Sequence, residues 1–406
     1  MTNTFDIRTL TDADIDAILE IDESAFGSDI SREYFEEYNR PNWDLDRFIG
    51  AFDPALDGEL VGVAASYAMG MTFPGAGIHP VAGVTWVGVR PGQQRRGILT
   101  ALMRHQLDDL HERSAEAVAL LTASESAIYS RYGYGPAIDR VRMEGLAGKA
   151  FRPGVLVEPV RQVGRAVAMP AVRELYEQLA ATTTGFLQRP DSVWHSLLSD
   201  HELDRDGATK LLFGIHPQGF VAYRVKQEWG DRAPASQLFV QDICATTPVA
   251  WASLWRHVLD YPLISDVAYR RGWLDDPLPD LLLDSRSVRR NVTDHVWARL
   301  VDLDRAVPLR TYRVPASVVV GVTDGFCPWN AGTWRLDLDT DGGTAVRTDE
   351  AAQVTMDTTD LAAAFLGGQR LHRLVTAGRV RGDAATIETL ALALSTPCAP
   401  WTPEGF

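Results

Sequence analysis

VTWVGVRPGQQRRGILTALM, residues 84–103, is the stretch on which the fold turns. Val84 to Val89 form a short apolar run suited to a strand, Arg90 to Gly97 a loop, and Ile98, Leu99, Leu102, Gln106 and Leu110 fall on one face of a helix. A helix opening just after Gly97 leaves its first N–H groups without partners, and with the helix dipole these make a local anion site. Arg90, Arg95, Arg96 and Arg104 stand here with no acidic residue among them, in a chain that is acidic elsewhere. A pyrophosphate suits such a loop, and an exposed basic turn is the plain alternative. The spacing matches neither G-x-x-x-x-G-K-[ST] nor a helix-opening G-x-G-x-x-G.

The next strand, VALLT at 118–122, leads into ASESAIYSRYGYGPA. Tyr129, Gly133 and Tyr134 resemble the Y-x-x-x-G-[FY] element of the GCN5-related N-acetyltransferase superfamily. QRRGIL is similar to that superfamily's acetyl-CoA loop, with Gln94 and Gly97 in place and Leu99 where a small residue normally stands. Together with GFCPWNAGTWRLDLD and the closing aromatic residue, these motifs identify the chain as a member of the enhanced intracellular survival (Eis) family. The resemblance implies three domains: an acetyl-CoA-binding acetyltransferase domain (1–150), a degenerate second copy (151–295) and a sterol-carrier-protein-like domain (296–406). It further implies a homohexamer and the acetylation of several amines on a cationic small molecule such as an aminoglycoside antibiotic.

The same resemblance assigns site residues. Cofactor contacts fall on Val87, Gly88 and Val89, on Arg95, Arg96, Gly97, Ile98, Leu99 and Thr100, and on Ser124 and Glu125. Amine acetylation needs an acid for the departing thiolate and a base for the amine proton. Tyr129 matches the family's acid. With ordinary pKa values of about 10 and 8.5, its proton transfer to a thiolate is uphill by about 2 kcal/mol. The family's base is the terminal carboxylate, here that of Phe406. The last ten residues, PCAPWTPEGF, carry Pro397, Pro400 and Pro403 and favour a stiff extended arm whose Trp401 and Phe406 rings anchor it. For the acceptor, FGSDISREYFEEY (26–38) offers Phe26, Asp29 and Glu33 as a wall; a solvated acidic helix is the alternative.

Elsewhere the pattern fits an α/β fold followed by an α+β layer. DADIDAILEIDESAF, MPAVRELYEQLAA and TPVAWASLWRHVLDY have helical spacing; ELVGVAASYAM, KLLFGIHPQGFVAYRV and QLFVQDICA read as strands. From VWARLVDLDRAV onward, strands SVVVGVTD, GTWRLDLDTDGG and GTAVRTDEAAQVTMD precede helices TTDLAAAFLGG and AATIETLALAL. The chain has 406 residues and a formal charge of −15, which disfavours nucleic acid and suits a cationic substrate. The N-terminal stretch lacks a signal-peptide pattern and no apolar run reaches a membrane span, so a cytoplasmic protein with no membrane partner is expected. Cys244, Cys327 and Cys398 are expected as reduced thiols, and neither they nor the nine histidines show metal-ligand spacing. The competing functional class is a catalytically inert binding or regulatory protein of this fold, with lipid binding through the third domain as a variant.

Overall fold

Two long, largely apolar and buried runs at 59–73 and 77–89 pair as one antiparallel hairpin, around which a large sheet grows. The computed structural model describes residues 5–27, 29–231 and 233–406. Its first sheet comprises β1 (Asp6–Thr9), β2 (Phe48–Asp53), β3 (Glu59–Phe73), β4 (Gly77–Val89), β5 (Val118–Leu121) and β6 (Gly135–Glu144). It continues with β7 (Arg161–Val163), β8 (Leu212–His216), β9 (Gly219–Lys226), β10 (Ser236–Ala245), β11 (Ile264–Gly272) and β12 (Arg289–Leu300). The twelve strands are ordered β1-β2-β3-β4-β5-β12-β6-β11-β10-β9-β8-β7.

Two features of that order matter for function. β4 and β5 run parallel only from Ala82–Ala119 to Val84–Leu121, and beyond that point nothing in the sheet joins them. β12 enters between β5 and β6, pairing antiparallel with both, so the expected boundary at 295/296 falls inside a continuous strand. A β-strand shared in this way leaves no flexible linker at that point.

Helices cover the sheet where the sequence spacing places apolar faces. Ile15–Phe26 buries Ile15, Ile18 and Ile21, and Ile98–Arg113 buries Ile98, Leu102, Met103, Leu107 and Leu110. In the second half, Arg165–Ala180 and Pro248–Leu259 do the same against β8–β10. Thr247 caps the latter helix by accepting from the Ala250 N–H.

A second sheet, ordered β15-β14-β13-β16-β17, is built from β13 (Ala316–Thr323), β14 (Gly332–Asp339), β15 (Gly342–Arg347), β16 (Val354–Asp357) and β17 (Arg381–Gly382). Helices Thr358–Phe365 and Ala384–Leu394 pack on it, and Val320, Trp334, Leu336, Leu361 and Leu390 fill the space between. That core is continuous with Met71, Phe73, Val118 and Leu120 of the first sheet. Cys244 and Cys327 are buried, Cys398 is exposed, and all three are free thiols.

One buried ion pair links the layers. Arg299 on β12 is fully buried and donates to Asp324 Oδ2 at 2.6 Å and to Thr358 Oγ1 at 2.9 Å. Asp324 Oδ1 also accepts from the N–H groups of Phe326 and Cys327. Removing one partner strands the other charge in a low-dielectric interior. Asp324→Ala should therefore cost about 3–5 kcal/mol, seen as a lower urea midpoint by tryptophan fluorescence; an unchanged midpoint contradicts the role given to this pair.

Candidate active site

The loop expected to hold phosphate does open a helix. Gly97 is the N-cap of Ile98–Arg113 with φ +88°, and Arg95 is left-handed at φ +62°. A glycine meets that torsion without strain, and nothing lies within 4 Å of where its Cβ would be, so the loop is open at that point. The arginines are less available than their spacing suggests. Arg90 pairs with Glu20 and Glu59, Arg96 pairs with Asp53 at 2.7 Å, and Arg104 binds the Phe326 carbonyl and lies over its ring. Their acidic partners come from distant segments. Only Arg95 among the four makes no ion pair or hydrogen bond to the described residues, so what this loop offers an anion is main-chain N–H groups and one exposed guanidinium.

On β4 the backbone is strained where it leaves β5. The β3–β4 ladder slips between Val63 and Ala65, and Trp86 takes φ +51° opposite that slip. A non-glycine residue in the left-handed region costs of order 1 kcal/mol or more. The bulge leaves main-chain groups near Val87 outside the ladder, beside the parting of β4 from β5. Val87 and Val89 are half-buried and Gly88 is buried, while Ser124 and Glu125 are exposed across the gap. The residues assigned to the cofactor thus line both sides of the split.

Tyr129 ends the short helix Ser126–Tyr129 after β5. It packs with Ala82, Val84, Met103, Leu107 and Tyr134, and burial, with smaller contributions from Tyr132 and Glu125, pushes its phenol up to about 12. Tyr132 and Tyr134 are core residues beside it.

A cavity of about 900 Å³ lies between β3 and β4, the Ile15–Phe26 helix and the Asp191–Leu197 helix. Its aromatic wall includes Phe26, Trp43, Tyr67 and Trp86. Trp86 Nε1 donates to the Tyr67 hydroxyl at 2.7 Å, and Trp43 meets Trp86 edge-on at 4.8 Å. Asp22, Asp44 and Glu404 also line it, and so does Phe406. The expected acids at 29 and 33 do not. Asp29 and Glu33 are exposed and outside the lining, because the segment turns through Arg32–Tyr34 into a π-helical turn, Phe35–Asn39, that buries Phe35 and Tyr38 and leaves the carboxylates outward. Phe26 alone of that wall lines the cavity.

The C-terminal segment is held at several points. The Trp401 N–H bonds the Thr184 carbonyl at 2.9 Å, and its indole donates to the Arg271 carbonyl at 2.8 Å and stacks on Trp273. Glu404, buried, takes a bond of 2.6 Å from Arg189 Nε, and Arg189 Nη1 reaches Asp242 at 2.7 Å. The Arg189 guanidinium lies over the Tyr176 and Trp194 rings at 3.8 and 4.7 Å. Arg189 is therefore matched by two carboxylates, and no other cation lines the cavity among the described residues. The Phe406 ring rests where Gly83 has no side chain: a Cβ on Gly83 would meet Met69 Sδ and come within 3.1 Å of that ring. Since Ala82 and Val84 face the Tyr129 cluster, Phe406 and Tyr129 lie against opposite faces of β4. Tyr129 is not among the cavity-lining residues. β4 parts from β5 beyond Val84 and Leu121, between these two faces.

The sequence matches an acetyltransferase (GNAT) domain family over residues 6–137, another acetyltransferase (GNAT) domain family over 185–314 and a sterol carrier protein domain family over 303–403. A protein of Streptomyces coelicolor, described as an uncharacterised N-acetyltransferase, is 37% identical over 392 residues, 92% of each chain. N-acetyltransferase Eis of Mycobacterium tuberculosis is 32% identical over 345 residues, 80% of each chain. The crystal structure of Eis1 from Mycobacterium abscessus superposes with a TM-score of 0.86 at 33% identity, covering 99% of this chain and 100% of that one. The chain belongs to the Eis family of N-acetyltransferases. As an Eis protein it is an amine N-acetyltransferase with two acetyltransferase-like domains followed by a sterol-carrier-like domain, the architecture expected from its motifs. Among the described residues no helix is long and apolar enough to cross a membrane, and no group of acidic, histidine or cysteine side chains is arranged to hold a metal.

Sequence reasoning missed Asp22, Asp44, Arg189 and Gly83. Asp22 follows from helical spacing, four residues before Phe26 on the same face, but nothing local marks Arg189 or Gly83. Gly83→Val should leave cofactor binding within about twofold and cut turnover by about tenfold or more, by displacing the Phe406 ring from a notch with no spare volume. Calorimetry with coenzyme A and steady-state kinetics check this, and unchanged turnover would contradict the placement.

Proposed function

We propose that the protein transfers the acetyl group of acetyl-CoA to primary amines of polycationic small molecules such as aminoglycosides, with Tyr129 as general acid and the Phe406 carboxylate as general base. The observation that carries this reading is the seating of the Phe406 ring in a cavity where the one lining cation among the described residues is doubly matched. Asp22 and Asp44 supply negative charge for ammonium groups of the acceptor, and the aromatic wall supplies faces that attract cations. Several amines on one acceptor would be presented in turn by rebinding in this roomy site. Assembly as a homohexamer belongs to the same reading and rests on family membership.

Acetyl-CoA brings the thioester; the first-turn N–H groups at 97–100, with Arg95, would take its phosphates, and Val87 to Val89, Ser124 and Glu125 would flank its arm. An ammonium acceptor must lose a proton before its nitrogen can attack. The notch against Gly83 and Met69 holds the Phe406 ring; its carboxylate, a weak base in water at an ordinary pKa of about 3.5, would gain basicity where the bound acceptor and thioester exclude water from it. Tyr129 gives its proton to the departing sulfur. Its pKa near 12 widens the gap to an ordinary thiol, from the 2 kcal/mol expected on reference values to about 5 kcal/mol. Burial raises a thiolate's proton affinity for the same reason, which narrows that gap at the moment the C–S bond breaks.

The sign of the Tyr129 shift fixes one pH dependence. A phenol raised from 10 to about 12 stays in its donating form at every pH below that, so its alkaline limb lies above pH 10. Tyr129→Phe should lower kcat by about 10²–10⁴-fold, the usual span for a lost general acid. An unaltered kcat would remove Tyr129 from the reaction.

The reading as a whole is tested by following free thiol while acetyl-CoA is mixed with a panel of spermine, kanamycin and neomycin. Turnover with at least one is expected, and appending a single residue after Phe406 should abolish it while leaving coenzyme A affinity within about twofold. Normal turnover by the extended chain would contradict the carboxylate's role.

A further inference from the structure

Between the Arg189-bound carboxylate of Glu404 and the Phe406 ring in its Gly83 notch stands one glycine. Gly405 is exposed and has the widest torsional freedom of any residue, so the two anchors alone do not aim the carboxylate that follows. What lies beside Gly405 is His295: a Cβ at 405 would sit 3.7 Å from the imidazole Cε1.

His295 is placed there by an irregularity in the sheet. In the β12–β6 ladder Asp294 faces Asp139 and Val296 faces Ile138, so His295 is an extra residue with no partner on β6. Bulges of this kind re-aim a side chain and concentrate near functional sites. The ring is 3% exposed, and neither Nδ1 nor Nε2 makes a hydrogen bond to the described residues. A buried polar group left unpaired costs about 1–3 kcal/mol, and the Glu404 main chain lies close enough to accept from the ring. The charged groups facing it are Arg140 on β6, Arg271 on β11 and Asp294 on its own strand; Asp294 already accepts from Trp297 Nε1 at 2.6 Å. Burial and then Arg140 disfavour the imidazolium, so the ring is neutral near pH 7 and carries one N–H to give.

We propose that His295 is a positioning residue for acetyl transfer, whose neutral imidazole donates a ring N–H to the main chain at Glu404–Gly405 and so fixes the torsions that aim the Phe406 carboxylate at the acceptor nitrogen. The proposal rests on the reading of that carboxylate as the base. Its arrangement has a built-in acid limit. With its pKa lowered from 6.5 to about 4, the ring is neutral throughout the neutral range; protonation as the pH falls toward 4 leaves an N–H to give but adds a third cation beside two arginines, which disturbs the placement.

The test combines His295→Leu and His295→Asn, each in the full chain and in a chain lacking Phe406, assayed with acetyl-CoA and the fastest acceptor of the amine panel. In the full chain His295→Leu should lower kcat about tenfold with the amine KM and coenzyme A affinity within about twofold, and His295→Asn, which keeps a donor, should recover most of the loss. In the chain lacking Phe406, whose new terminal carboxylate on Gly405 stops one residue short and has no ring to seat in the Gly83 notch, His295→Leu should change the residual rate by less than about twofold. Wild-type kcat in His295→Leu, a parallel loss of coenzyme A affinity, or the same tenfold loss without Phe406 overturns the inference. Full activity of the chain lacking Phe406, by contrast, overturns the reading of the base. If His295→Leu does not fold, His295→Asn at wild-type stability decides: kcat within about twofold and an acid limb shifted from the parent's support the proposal, and an unshifted limb overturns it.

Discussion

The buried guanidinium of Arg189 decides where the last residues of this chain lie. It is held by Asp242 on β10 and by Glu404, and it is sandwiched against Tyr176 and Trp194, so its charge is matched and its donors are directed within a nearly water-free site. Desolvating a charge is expensive, and the expense is offset only when partners sit at close range with good geometry. That requirement makes the contact selective. A tail displaced by one residue would leave either Arg189 or Glu404 unpaired in the interior, so the register of Glu404, Gly405 and Phe406 against the cavity is set by electrostatics, with Trp401 as an apolar anchor behind it.

The second acetyltransferase-like domain acquires a role from this arrangement. Arg189, Trp194 and Asp242 belong to it, as do Arg271 and Trp273, which receive Trp401, and Tyr176 and Thr184 lie just before it in sequence. It supplies the socket for the tail, and its Asp191–Leu197 helix supplies a wall of the cavity. The third domain supports the same site from below: its core is continuous with that of the first sheet, and Arg299 on the shared strand β12 ties to Asp324 and Thr358. Three parts of one polypeptide are thereby fixed around the parting of β4 and β5.

Local chemistry was readable where the physics is local. The strand, glycine turn and helix of 84–113 were legible because apolar periodicity and the loss of it mark each boundary, and the helix spans Ile98–Arg113 as its spacing suggests. The same holds for β13, β14 and the Thr358–Phe365 helix. Non-local partners were not readable. Glu20, Glu59 and Asp53, which neutralise Arg90 and Arg96, lie tens of residues away, so the four arginines appeared freer than they are. The insertion of β12 between β5 and β6 depends on pairing across more than a hundred residues, which no periodicity encodes. Asp29 and Glu33 lie outside the cavity lining, and the acids that line it come from the preceding helix, the following loop and the C-terminal segment, a grouping that no local spacing marks.

The split sheet, the tail and the phenol form one mechanism only if the terminal carboxylate meets the acceptor at the thioester. A crystal structure of the protein with coenzyme A and an amine acceptor measures this directly. The account predicts a Phe406 carboxylate oxygen within hydrogen-bonding reach of an acceptor nitrogen, about 3 Å, with that nitrogen at the gap between β4 and β5 and the sulfur on the Tyr129 side. An acceptor bound elsewhere, or a carboxylate turned to solvent with both ligands in place, would contradict it.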